Sequence, residues 1–338
     1  MTSAAPDLLT RVRSLVLPAL QAAIATLEDE RMRRVAAYHL GWCDADGRPL
    51  DTGGGKSIRP ALAVLSAQAG GGSATDGVPA ATAVELVHNF SLLHDDIMDR
   101  DVERRHRPTG WVVFGDGQAI LAGNAMLTVG IEVLVASGAA GRRSLPCLLT
   151  TVQRLIGGQS EDLALEDRPS VELDEVLHME AGKTAALLAC SASIGALAVE
   201  AAPQVVDALA AYGHALGMSF QLVDDILGIT GDASVTGKSA SSDIRAGKRS
   251  APIVAALRAG VPAAERLSRL LAAGPPETDG DVTHARKLIE EAGGLDWAAR
   301  EADAFLAQAL AHLAGAPIPA PVASELADLA RYVVERDR

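Results

Sequence analysis

Apolar residues recur at helical spacing along most of the chain. Leu148, Leu149, Val152, Leu155 and Ile156 form one such stripe, and Leu209, Tyr212, Leu216 and Phe220 form another. Aromatic residues make up only 3% of the sequence and the apolar set is mostly Ala, Leu and Val, which favours closely packed helices over a β-sandwich. The expected fold is all-α. With 338 residues, 49% of them hydrophobic, the chain can bury a large core. Gly, Pro, Ser and Asp cluster at 44–57, 70–79, 230–247, 274–280 and 315–321, where loops are expected, and none of these resembles an interdomain linker. One large antiparallel helical bundle spanning 1–338 is the simplest account, with residues 1–10 expected to be disordered.

Acidic residues outnumber basic ones by 43 to 30, a net charge of −13, which argues against general affinity for nucleic acid or anionic lipid while allowing a local basic pocket. Cys43, Cys147 and Cys190 are far apart in sequence and form no CxxC pair, so neither a disulfide framework nor a zinc site is indicated, and a reducing cytoplasm fits. The most apolar stretches, 118–131 and 184–199, are interrupted by Glu132, Lys183 and Glu200 before they reach the ~20 residues of a spanning helix. They read as core helices, and no transmembrane segment or signal peptide is expected.

Two acidic motifs carry the chemistry. Asp95, Asp96 and Asp99 end an apolar helical run, and the four-residue step from Asp95 to Asp99 places those carboxylates on one face, one turn apart. Like charges so placed repel, and a bridging cation relieves them; an all-oxygen donor set suits Mg²⁺. A solvated acidic helix end is the competing reading. The motif is echoed 129 residues later, where Leu222-Val223-Asp224-Asp225-Ile226 repeats the pattern of Leu93-His94-Asp95-Asp96-Ile97. Two acidic faces bridged by Mg²⁺ are suited to clamping a diphosphate.

Cations occur in compact groups at Lys56 and Arg59, at Arg104, Arg105 and Arg107, at Lys183, and at Lys238 and Lys248. Taken singly, each reads first as a solvated surface feature. The run Gly53-Gly54-Gly55-Lys56-Ser57-Ile58-Arg59-Pro60 reads as a loop entering a helix, where free N–H groups favour an anion. It is not a Walker A loop, because Leu50 stands where the first glycine would be needed.

These residues together resemble the trans-isoprenyl diphosphate synthases, the polyprenyl synthetase family, over roughly 200 residues with five motifs in the family's order. Glu85 and His88 lead to the first Asp-rich motif. Arg104, Arg105, Pro108 and Thr109 follow it, and Gly182-Lys183-Thr184-Ala185, Phe220-Gln221 with Asp224-Asp225, and Gly237-Lys238 with Asp243-Ile244 and Gly247-Lys248 complete the set.

The resemblance implies the isoprenoid synthase type I fold with a central active-site cavity, a homodimer, and a cytoplasmic prenyltransferase that joins isopentenyl diphosphate to an allylic diphosphate. It further implies Mg²⁺, three ions, ligated by Asp95, Asp99 and Asp224. Lys56, Arg59, His88 and Arg105 would bind the isopentenyl diphosphate, and Arg104, Lys183, Thr184, Lys238 and Lys248 the allylic diphosphate. Gln159, Asp162 and Gln221 would support the allylic pocket. The Ser/Gly-rich segment 231–247, which carries Lys238 and leads into Lys248, reads on its own composition as a lid that closes over the site, with a disordered loop the competing reading. Two positions depart from the family pattern: Gly228 stands where most members carry a third Asp, and His106 replaces the usual Gly.

Chain length in such enzymes follows how far the apolar tail runs below the first acidic motif. Phe90 lies five residues before Asp95, about 7.5 Å along a helix, and Ser91 is small. That pairing resembles synthases of the C20 product, geranylgeranyl diphosphate, with C15 farnesyl diphosphate the alternative. A class I terpene cyclase would need an Asn/Ser/Glu metal triad on a later helix, and none follows Asp225. A non-catalytic regulatory subunit would leave both acidic motifs idle.

Overall fold

The fold is known from a computed structural model that describes residues 5–50, 55–166, 168, 170–231, 241–272, 274–276 and 278–335. Sixteen α-helices lie among them. In chain order they are α1 (Ala5–Ala25), α2 (Glu30–His39), α3 (Ile58–Ala69), α4 (Val78–Met98), α5 (Gly110–Phe114), α6 (Asp116–Ala136), α7 (Ala139–Glu166) and α8 (Leu173–Glu180). There follow α9 (Ala186–Ala198), α10 (Pro203–Thr230), α11 (Ser242–Ala246), α12 (Ala251–Arg258), α13 (Pro262–Leu271), α14 (Asp279–Glu291), α15 (Gly294–Ala314) and α16 (Ala320–Glu335). A π-helical turn, Ala181–Ala185, joins α8 to α9, and a two-stranded hairpin, β1 (Glu103–Arg104) with β2 (Arg107–Pro108), follows α4.

The all-α expectation holds. The helices α3, α4, α9 and α10 are the inner ones: α4 packs on α3 and α6, α9 on α3, α7 and α10, and α10 on α15. Buried alanines such as Ala61, Ala63, Ala81, Ala83, Ala192 and Ala196 line these contacts, so backbones approach closely, which is why the apolar set is so rich in Ala. A second, smaller core of Ile229, Ile244, Ile253, Leu267 and Leu288 ties the end of α10 to α11–α14.

Three expectations need adjustment. Residues 5–10 are the first turns of α1 rather than a disordered start. The segment 230–247 is not all loop, since Thr230 ends α10 and 242–246 form α11; residues 232–240, with Lys238, lie outside the described residues. By length and apolarity alone, Ala5–Ala25, Asp116–Ala136 and Leu173–Ala198 would reach across a bilayer, because the helices run past the charges that seemed to end them. All three nonetheless pack within the bundle, and 67% of the last is buried there.

Candidate active site

Four helices end a polar stripe in one cavity of about 370 Å³. Helical spacing decides which side chains arrive: His88, Ser91, Leu92, Asp95 and Asp99 from α4, and Leu155, Gln159 and Asp162 from α7. Lys183, Thr184 and Leu187 come from the π turn and α9, and Phe220, Gln221, Asp224 and Asp225 from α10. Asp95 and Asp224 therefore line the same hollow. The π turn is held by a close backbone approach: a Cβ on Gly158 of α7 would collide with the backbone of Gly182 and Lys183. This contact sets Lys183 beside Asp162, and such turns recur at functional sites.

Each acidic pair divides its roles. Asp95 and Asp99 face the cavity, while Asp96, 1% exposed, accepts a hydrogen bond from Arg104 Nε at 2.6 Å. Burial pushes Asp96 up to about 6 against the pull of Arg104. Burial would also raise Asp95, but Lys183, Arg104 and Lys248 outweigh it and hold that carboxyl below the ordinary range. Lys183 Nζ lies 3.0 Å from Asp95 Oδ1 and 2.6 Å from Asp162 Oδ2, and Lys248 bonds Asp99. Burial disfavours the charged lysines, yet these carboxylates push Lys183 up to about 12 and Lys248 higher still. Both stay cationic.

A second basic group sits beside the first. Arg59 Nη1 donates to His88 Nε2 at 3.2 Å, so the proton of the neutral ring is on Nδ1. Burial, then Arg59 and Arg105, holds His88 well below its usual value, and burial lowers Arg59 to about 10. The buried Nε of Arg59 has no hydrogen-bond partner, a donor prepared for an anion. Arg104 and Arg105 are aimed by the β1–β2 hairpin, whose two turn residues, Arg105 (φ 54°) and His106 (φ 59°), both lie in the left-handed region. That is a type I′ geometry, which His106 adopts where a glycine would be easier. Arg107, grouped with the site cations in sequence, instead pins the hairpin by donating to Tyr38 O (3.1 Å) and Cys43 O (2.8 Å).

Asp225 is structural. Thr184 Oγ1 donates to Gln221 Oε1 (2.7 Å), Gln221 Nε2 to Asp225 Oδ1 (2.7 Å), and Ala251 N to Asp225 Oδ2 (2.9 Å). Glu180, 2% exposed, faces Asp225 from α8; burial first, then Asp225, pushes its carboxyl well above the ordinary range, and burial with Asp243 raises Asp225 to about 7. Both pKa values are raised, so the folded state keeps protons that the unfolded chain releases. The resulting stabilisation is complete below about pH 4 and fades as the pH rises through about 7. Glu180→Gln removes one carboxyl of the pair, and its melting temperature is expected to decline less than the parent's between about pH 5 and pH 8. An unchanged slope in thermal unfolding would remove this pair as its source.

The donor set fits Mg²⁺. Carboxylate oxygens of Asp95, Asp99 and Asp224 face one cavity, and the buried Oδ1 of Asp99 has no hydrogen-bond donor among the described residues. Among the described residues no three His, Cys, Asp or Glu side chains gather around one point.

Of the residues singled out in sequence, Arg59, His88, Ser91, Asp95, Asp99, Arg104, Arg105, Gln159, Asp162, Lys183, Thr184, Gln221, Asp224 and Lys248 line the cavity. Lys56 is exposed on the loop before α3 and is not part of that lining. Nor is Phe90, 6% exposed, whose ring packs edge-on against His94 at 4.9 Å. Sequence reading missed Glu180, although it sits three residues before Lys183 in an apolar run. It also missed the close contact of Gly228 with Asp243, whose carboxylate fills the space a side chain at 228 would take.

Comparison with known proteins agrees with this geometry. The polyprenyl synthetase family model matches residues 48–289. A (2E,6E)-farnesyl diphosphate synthase of Mycobacterium tuberculosis is 44% identical, with 99% of this chain and 94% of the relative covered. A geranylgeranyl diphosphate synthase of the same organism is 43% identical, with 90% and 88% covered. Among solved structures, a polyprenyl synthetase from Streptomyces coelicolor A3(2) superposes with a TM-score of 0.92 at 47% identity, with 97% and 99% covered. The chain belongs to the polyprenyl synthetase family and is a trans-prenyltransferase with the all-α isoprenoid synthase fold.

Proposed function

We propose that the protein condenses isopentenyl diphosphate with an allylic diphosphate to make geranylgeranyl diphosphate, with farnesyl diphosphate the alternative product. The reading is carried by one observation: two acidic motifs and two basic groups share one cavity that apolar side chains also line. Asp95, Asp99 and Asp224 would hold Mg²⁺, three ions by family resemblance, which supply positive charge to the allylic diphosphate. Lys183, Lys248 and Arg104 add fixed cations, with Lys238 from the segment outside the described residues. These charges stabilise the leaving diphosphate as the allylic carbocation forms. Arg59, His88 and Arg105, joined by Lys56, bind the second diphosphate and set the isopentenyl double bond to attack; the departing diphosphate takes the proton. Thr184 is oriented by Gln221. A terpene cyclase has no use for this second basic group.

The apolar lining of the cavity includes Leu92, Leu155, Met179, Leu187, Phe220 and Leu227, and the small Ser91 is part of the same lining. Phe90 precedes Ser91 on α4 and is buried, its ring packed against His94. Incubation of the purified protein with isopentenyl diphosphate, Mg²⁺ and each of the C5, C10 and C15 allylic primers is expected to yield C20 as the longest major product. Phe90→Ala should shift the product longer by one or more C5 units. A C15 end point would favour the farnesyl reading, and an unchanged distribution in the variant would transfer the limit to Leu155 and Leu187. No incorporation with any primer would reject the function.

We also propose that two copies of the chain pair through α6 and α7. Ile120 (42% exposed), Leu121 (54%), Leu149 (40%), Ile156 (51%) and Leu163 (37%) form an apolar face there, with the α7 members at seven-residue spacing. The three free cysteines fit a reducing cytoplasm as the site of action.

A further inference from the structure

The seam between α7 and α9 holds chemistry that the diphosphate site does not use. The two helices run antiparallel and touch along their length. Lys183 and Asp162 meet at one end, and Gly158 lies against the π turn. At the other end Ser144 Oγ donates to Ile194 O (3.2 Å) and Arg143 Nη2 to Ala198 O (2.8 Å). Between these contacts Cys147 faces Cys190 with Sγ–Sγ at 3.5 Å. Their separation of 43 residues hid the pair in sequence, where the three thiols read as isolated.

We infer that Cys147 and Cys190 form an oxidisable dithiol whose co-reactant is a small peroxide, and which closes to an intramolecular disulfide joining α7 to α9. The sulfurs are already in van der Waals contact, and a disulfide needs them about 1.5 Å closer. Neighbouring contacts hold both backbones in register for that approach. The two thiols also differ in character. The hydrogen-bond contact with Cys190 lowers Cys147 to about 7, assisted by Ser193, Thr151 and Arg154 against the effect of burial. Cys190, 2% exposed, is pushed well above its usual value by Cys147 and by burial. Cys147 is only partly buried, so it is the thiolate that meets the oxidant. It lies two residues from Leu149, about 200° around α7 and so away from the apolar stripe of that helix.

The Cys147 thiolate attacks one peroxide oxygen, the O–O bond breaks, and hydroxide leaves to be protonated to water. Cys190 sulfur then attacks the Cys147 sulfenic sulfur, the S–O bond breaks, and the second water carries off the Cys190 proton. Two thiols lose two electrons and the peroxide gains them.

The test treats the full chain with stoichiometric hydrogen peroxide and counts thiols after denaturation. The count is expected to fall from the three of the sequence to one, Cys43, with the intact mass lower by about 2 Da and a Cys147–Cys190 peptide in a non-reducing digest. Cys43→Ser should still close the bond. Cys190→Ser should stop at the sulfenic acid, trapped by dimedone on Cys147. Three thiols remaining, oxygen added to Cys147 with Cys190 still free, or a disulfide joining two chains would each overturn the inference.

Discussion

Replacing Asp224 with Ala is expected to lower kcat/KM for the allylic substrate roughly a thousand-fold, the scale of losing one charge-stabilising element at a leaving group. Asp224 is exposed to the cavity and, among the described residues, makes no hydrogen bond to another helix, unlike its buried neighbour Asp225. The melting temperature should therefore stay within about 1 °C of the parent's. On the proposed reading the KM for isopentenyl diphosphate should change less than that for the allylic substrate, because Arg59, His88 and Arg105 would hold that diphosphate while the Asp224 charge reaches only Arg59 among them. Steady-state kinetics with each substrate varied in turn separates these effects. Activity within ten-fold of the parent would show that the second acidic motif is not part of the diphosphate clamp.

Lys183→Met is expected to damage both stability and rate. Lys183 lies between Asp95 and Asp162, its side chain 24% exposed and theirs 16% and 15%. Losing the shared cation removes the one ion-pair partner common to two mostly buried carboxylates, leaving Arg104 and Lys248 to balance Asp95, a cost of about 3 kcal/mol. For a chain of this size that lowers the melting temperature by roughly 5 °C. On the proposed reading, Mg²⁺ restores part of the loss by taking the place of the ammonium group, while turnover stays down about a hundred-fold or more. A variant as stable as the parent without Mg²⁺ would mean that Lys183 does not balance these charges.

The parts of the site legible in sequence are those fixed by spacing on one helix. The step from Asp95 to Asp99, the seven residues from His88 to Asp95 and the echo at Asp224 each follow from 3.6 residues per turn, so one face of one helix can be read without a structure. The all-α class was legible for the same reason. Features that need two elements were not. Glu180 is an acidic residue in an apolar run until α8 is set against α10 and Asp225 meets it. Cys147 and Cys190 are unremarkable until α7 and α9 lie antiparallel. Gly228 read as a missing carboxylate because nothing in the motif says that Asp243 occupies the adjoining space. Phe90 was placed by its distance along the helix axis, and its direction around the axis turns it out of the cavity lining.

The most direct test is calorimetric titration of inorganic pyrophosphate into the purified protein, with and without Mg²⁺, for the parent, Asp95→Ala and Asp224→Ala. Pyrophosphate carries the charge of the clamped group and none of the apolar tail, so it isolates the grip of the two acidic motifs. The account requires binding that depends on Mg²⁺ and weakens at least ten-fold when either aspartate is removed. Equal binding without the metal, or an affinity that Asp224→Ala leaves unchanged, would contradict it.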